Sequence, residues 1–246
     1  MRDMRADRMS QSLVLAAILA MVGGFTDAYT VLCRGGVFAN AETGNIALLG
    51  VSLAQQDFAG ALTYLAPILA YAAGITTSNL LSRKWGAELP LHWRQIIVLL
   101  EATVLMGVAF VPSGNGYNTL VAVLISFVCS LQVESFRNTR GHNIVTTMCT
   151  GNLRNGTVNL LTAIMDGNKD AIKVSLKYFT YIGFFMLGAV CGGAAIHFLG
   201  THATLVACVG LTIVFAMMFL TPKDLAESPK ENCKNQKKSG LITTKI

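Results

Sequence analysis

The sequence predicts an all-α integral membrane protein of six transmembrane helices, arranged as two inverted repeats that each carry a re-entrant or broken segment. Three observations predict it. Hydrophobic residues make up 53% of the 246 positions and charged residues 13%, about half the charged share of a typical soluble domain; the mean hydropathy is +0.54. Several apolar runs approach or exceed the roughly 20 residues that a spanning helix needs. The chain also repeats itself. Thr43-Gly44-Asn45 returns as Thr150-Gly151-Asn152 at an offset of 107, and Asp27 and Glu134, sixteen positions before the two motifs, keep that offset. Downstream the echo slips to 114, where Leu62, Tyr64 and Gly74 answer to Leu176, Tyr178 and Gly188.

Taken in order, residues 1–10 hold Arg2, Arg5 and Arg8 and form a cytoplasmic N-terminus, followed by repeat 1 over 11–112 and repeat 2 over 113–221. Ser12 to Leu32 is the first span; its length, its Asp27 and its counterpart in repeat 2 argue against a cleaved signal. From Cys33 to Ala54 the apolar character is broken by Arg34, Asn40, Glu42 and Asn45. The helical part after Thr43 covers about 18 Å at 1.5 Å per residue, too short for about 30 Å of hydrocarbon. Ala59 to Leu81 spans, with Pro67 inside it; a basic loop with Arg83, Lys84 and Arg94 follows, with Trp85 and Trp93 as interfacial anchors. Gln95 to Val111 spans and carries Glu101, and residues 112–116 form an uncharged turn. In repeat 2, Tyr117 to Val133 spans and leads to Glu134, Arg137 and Arg140. Ile144 to Met165 is the second broken segment, and Asp166 to Lys177 a polar connection. Tyr178 to Leu199 spans, with Gly188 and Gly192 spaced for close helix contact, and Ala203 to Leu220 is the last span. Residues 222–246 are a polar, lysine-rich cytoplasmic tail with the composition of a disordered segment.

Orientation separates two topologies. With the N-terminus inside and the broken segments re-entrant, there are six spans and the second repeat is inverted. Arg83, Lys84, Arg94, Arg137, Arg140, Lys169, Lys173 and Lys177 then face the cytoplasm and only Arg34 faces out, eight against one. The alternative, eight spans in parallel repeats, gives three inside against six outside. Short loops obey the positive-inside bias, so six spans are favoured. Non-helical backbone at membrane depth must be buried in protein or line a wet cavity. Inverted repeats with broken helices bring such segments together near the midplane.

The same charges explain the net charge of +6 without nucleic acid. The six cysteines have no CxxC spacing and the four histidines no HExxH pattern, so no metal, cofactor or catalytic centre is expected and the chain is not read as an enzyme. The site candidates are Asp27, Thr43, Gly44, Asn45, Thr150, Gly151, Asn152 and Arg154, with Glu101 as a candidate for proton coupling. Threonine can cap a helix start, glycine permits close approach, and a helix N-terminus suits an anion or polar solute. Against this, the motifs could be plain helix breaks. Asp27 could pair with Arg34, Arg154 with Asp27 or Glu101, and Glu42 with Arg34 at the rim; Glu101 could make only a structural hydrogen bond between helices. Glu134 reads as ion-paired beside Arg137 and Arg140, and Tyr64, Tyr71, Tyr178 and Tyr181 as packing.

The runs Gly24-Phe25-Thr26-Asp27-Ala28-Tyr29, Gly35-Gly36-Val37-Phe38-Ala39-Asn40 and Thr43-Gly44-Asn45 resemble the YoaK-like family of bacterial membrane proteins, a family of unknown function. So do Gln132-Val133-Glu134-Ser135-Phe136-Arg137 and Thr146-Thr147-Met148-Cys149-Thr150-Gly151-Asn152; the resemblance covers roughly 10 to 221. It implies a multi-pass protein of the bacterial cytoplasmic membrane and no agreed activity, substrate or cofactor. In the pattern it implies, glutamine often stands where this chain has Glu42 and Glu134. The expected function is transport of a small polar or anionic solute, with proton coupling through Glu101, by a protein whose partners are the bilayer, the solute and further copies of itself. A channel is the near alternative, and a non-transporting scaffold or accessory subunit the distant one.

Overall fold

The computed structural model describes residues 13–84, 92–114, 116–137 and 146–219. The expected cytoplasmic ends and most of the loops carrying Trp85 and Arg140 lie outside them. Every regular element described is helical: α1 (Leu13–Cys33), α2 (Glu42–Ala54), α3 (Phe58–Lys84), α4 (Trp93–Val108), α5 (Tyr117–Ser135), α6 (Cys149–Asp166), α7 (Lys169–Leu199), a 3-10 turn (Gly200–Ala203) and α8 (Thr204–Met217). Helices α1, α3, α5 and the run from α7 into α8 are long and apolar enough to cross a membrane.

Polarity is distributed as lipid surroundings demand. Large apolar side chains such as Phe198, Met165, Ile164 and Phe58 are exposed, whereas Arg34, Asn45, Glu101 and Gln132 are buried. An unusually apolar exterior marks a contact surface, and buried polar groups need partners.

Helix α1 packs along α7, and α3 along α5; α2 lies on α3, and α6 on α7; α4 joins α5, α8 joins α1, and α4 meets α8. The first contact explains the paired glycines. A Cβ at Gly24 would enter the backbone of Phe185, one at Gly188 the backbone of Met21, and one at Gly192 would lie 3.0 Å from the Phe25 carbonyl oxygen. On the α3–α5 side Gly74 meets Phe127 and Ser130, and the Ser78 and Ser135 hydroxyls bond at 3.0 Å.

The sequence reading of 166–177 as a polar connection is corrected. Helix α7 begins at Lys169, because Asn168 caps it by accepting from the Asp170 and Ala171 amides and Lys173 pairs with Asp170 one turn on.

The segments that lead into α2 and α6 both reach the middle of α1. Gly23 is the central residue of α1, ten positions from either end. After Cys33 the chain turns at Gly35 and Gly36, both at positive φ, and returns along α1. Asn40 Nδ2 donates to the Gly23 carbonyl at 3.2 Å, about 15 Å back from the helix end. Helix α2 then leads away again and turns sharply into α3, where the Asp57 amide donates to the Ser52 carbonyl and its side chain caps Gly60.

Candidate functional site

The returning segment is fastened by one carboxylate. Asp27 Oδ1 accepts the backbone amides of Ala39 at 2.9 Å and Asn40 at 2.7 Å, and the Asn40 side-chain amide at 3.4 Å. Asn40 Nδ2 also reaches Thr26 Oγ1 at 3.2 Å. Three acceptors around that nitrogen fix the amide's orientation, and Asn40 Oδ1 is left buried without a partner.

Within the first motif the asparagine does the holding. Asn45 is buried; its Oδ1 accepts from the Phe38 amide at 2.9 Å, and its Nδ2 donates to the Phe38 carbonyl at 2.8 Å and to Glu42 Oε2 at 2.9 Å. It thereby pairs the first turn of α2 with the returning strand-like segment, and Gly44 leaves room for the Phe38 ring. The expected threonine caps are overturned. The caps are Ala41 and Met148, neither with a side-chain bond, and Thr43 and Thr150 are exposed one step inside the helices. Asn152 is buried like Asn45, and Gly151 is exposed.

The second segment arrives at the same place. A Cβ on Gly23 would strike the Thr147 methyl group, and Thr147 is buried with its Oγ1 unpartnered. Asn40 and Thr147 each stand three positions before a TGN motif, at the repeat offset of 107. The first residues of α2 and α6, Glu42 and Cys149, keep that offset, and each lies within electrostatic range of Asp27. Tyr71 of α3 is within range of both Asp27 and Glu42. Sequence reasoning missed Asn40 and Thr147, although the repeat offset alone pairs them.

A buried polar line continues outward. Cys129 of α5 contacts Thr26 Oγ1 at 3.6 Å, and one turn on Gln132 Nε2 donates to Glu101 Oε1 at 3.3 Å. Glu101 is fully buried, and its bond to Gln132 is the interhelical contact expected as its structural role. Glu101 Oε2 and Gln132 Oε1 have no partner.

Three expected ion pairs are not formed. Arg34, fully buried, points the other way: its guanidinium donates to the Tyr29 hydroxyl and to the carbonyls of Val111 at 2.8 Å and Pro112 at 2.9 Å. It holds the turn that follows α4, and so meets neither Asp27 nor Glu42. Arg154 is exposed on α6 and contacts Asn155 at 3.4 Å, which removes its pairing with Asp27 or Glu101. The Glu134–Arg137 pair is present at 3.8 Å, Tyr178 and Tyr181 are packed in an apolar cluster, and the described cysteines are free thiols. An apolar groove of about 350 Å³ lies elsewhere, between the start of α1 and α7; the polar centre itself is buried.

These features define a helical protein with membrane-length helices around a buried polar centre. The chain belongs to the family of proteins of unknown function DUF1275, whose model matches residues 15–217. That agrees with the resemblance carried by the motifs. No curated protein and no solved structure matches the chain.

Proposed function

We propose that the protein is a multi-pass transporter of the bacterial cytoplasmic membrane, with six spans in two inverted repeats and a solute site where the two returning segments meet. One observation carries this reading: Asn40 and Thr147, equivalent in the repeat, both rest on Gly23, the central residue of α1. If α1 crosses the bilayer, that residue lies near the midplane, where inverted-repeat transporters bind their solutes between broken helices. The packing supports it as well. Exchanging the two halves carries α1–α7 into α5–α3, α2–α3 into α6–α7 and α4–α5 into α8–α1, and all are packed pairs.

In this reading Asp27, Asn40 and Thr147 contact the solute, with the exposed Thr43, Thr150 and Gly151 and the half-buried Gly44 along its path. Asn45 and Asn152 position the segments, and Glu101 with Gln132 serves proton coupling. Arg154, exposed on α6 and bonded to Asn155, takes no part at the centre. The buried centre corresponds to a closed state, and rocking of one half against the other opens it to either side.

The test is uptake into proteoliposomes from a panel of labelled inorganic cations, amines, amino acids and carboxylates, comparing wild type with Thr147→Val. Saturable uptake of one solute by the wild type, weakened about tenfold by loss of a hydroxyl contact in a variant that stays monodisperse, supports the reading. No uptake above empty liposomes, or uptake indifferent to the substitution, contradicts it.

A further inference from the structure

The unspent side-chain chemistry at the centre is all of one kind. The amide hydrogens of the returning segment are already taken: Ala39 and Asn40 give theirs to Asp27, and the side-chain amides of Asn40 and Asn45 are engaged. What remains unpartnered and buried is oxygen, namely Asn40 Oδ1, Glu42 Oε1 and Thr147 Oγ1. Asn40 is 6% exposed and Thr147 5%.

Charge points the same way. Asp27 and Glu42 interact with each other, and among the described residues no basic side chain bonds either, since Arg34 and Arg154 are committed elsewhere. A helix N-terminus supplies about half a positive charge, so the starts of α2 and α6 together offset about one of the two carboxylates. Any charge the carboxylates keep beyond that stands where burial makes it costly, and a bound cation would offset it. An all-oxygen set suits a hard cation, and with only two acids and no third His, Cys, Asp or Glu grouped with them among the described residues, one of low charge.

We propose that this centre is a binding site for a small monovalent cation, an alkali ion or a primary ammonium group, held by the Asp27 and Glu42 carboxylates with Asn40 Oδ1 and Thr147 Oγ1. The proposal rests on the transporter reading for its biological meaning and replaces the expectation of an anionic solute. Glu42 strengthens the site in this chain, and Asp27 anchors it.

The experiment follows the thermal unfolding midpoint of the purified full chain in detergent. NaCl, KCl and methylammonium chloride are each titrated against N-methylglucamine chloride at constant chloride. One of the three is expected to raise the midpoint saturably, and its half-saturating concentration to rise at least about tenfold in Glu42→Gln, as loss of one charged contact entails. Asp27→Asn should abolish the effect; Glu42→Gln, which keeps an acceptor for Asn45, decides the matter should Asp27→Asn fail to fold. No shift with any of the three, a shift that follows the anion when chloride is exchanged for sulfate, or an unchanged response in Glu42→Gln overturns the proposal. Failure here beside Thr147-dependent uptake of a neutral or anionic solute leaves the transporter reading standing. A cation shift without any uptake does the reverse.

Discussion

Arg34 shows how far a single residue can be read from sequence. An arginine at the end of an apolar run invites pairing with Glu42 or Asp27, both near in sequence, yet its guanidinium gathers the Tyr29 hydroxyl and the Val111 and Pro112 carbonyls, 77 and 78 positions on. Carbonyl partners carry no sequence signal, so this role was hidden. Removing it leaves several buried acceptors unpaired. Arg34→Ala should therefore cost about 3 kcal/mol or more, read as the unfolding midpoint in a detergent-to-SDS titration. Lysine, a point charge on a flexible stem, cannot serve the same fan of acceptors, and Arg34→Lys should recover less than half of the loss. A neutral Arg34→Ala would mean the acceptors are met in another way. Asp27, by contrast, was legible as a residue needing explanation, because a carboxylate deep in an apolar run is costly. Its partners, two backbone amides in the returning segment, were not.

At the scale of elements, most helices were visible as apolar runs, and α2 as a run too short to cross. Helix α7 was misjudged at its start because its first turns are polar; the Asn168 cap and the Asp170–Lys173 pair make them helical. The spacing of Gly188 and Gly192 announced a close contact without naming the partner, which is α1. That contact supplies a paired prediction. A Cβ at Gly188 would enter the Met21 backbone, whereas one at Gly183, in the same helix, would meet nothing within 4 Å. Gly188→Ala should lower the unfolding midpoint sharply, while Gly183→Ala should hold or raise it by up to about 1 kcal/mol, the helix propensity difference. Equal behaviour of the two variants would show that α1 and α7 are not in backbone contact.

For the whole molecule, the repeat offset pairs Asn40 with Thr147, which both lie against Gly23, and charge counting gives an expectation of the sides from which their segments come. What the sequence could not supply was depth. The convergence on Gly23 depends on the backbone returning along α1, which follows from hydrogen bonds between Asp27 or Asn40 and segments a dozen or more positions away. The central claim is that the two returning segments approach that point from opposite faces of the membrane. A single cysteine at Gly86, in a cysteine-free background checked for folding, tests it with a membrane-impermeant thiol reagent on intact cells and on inverted vesicles. The account predicts labelling only in inverted vesicles, with the loop after α3 in the cytoplasm. Labelling of intact cells would make the repeats parallel, send both returning segments in from the same side, and contradict the account.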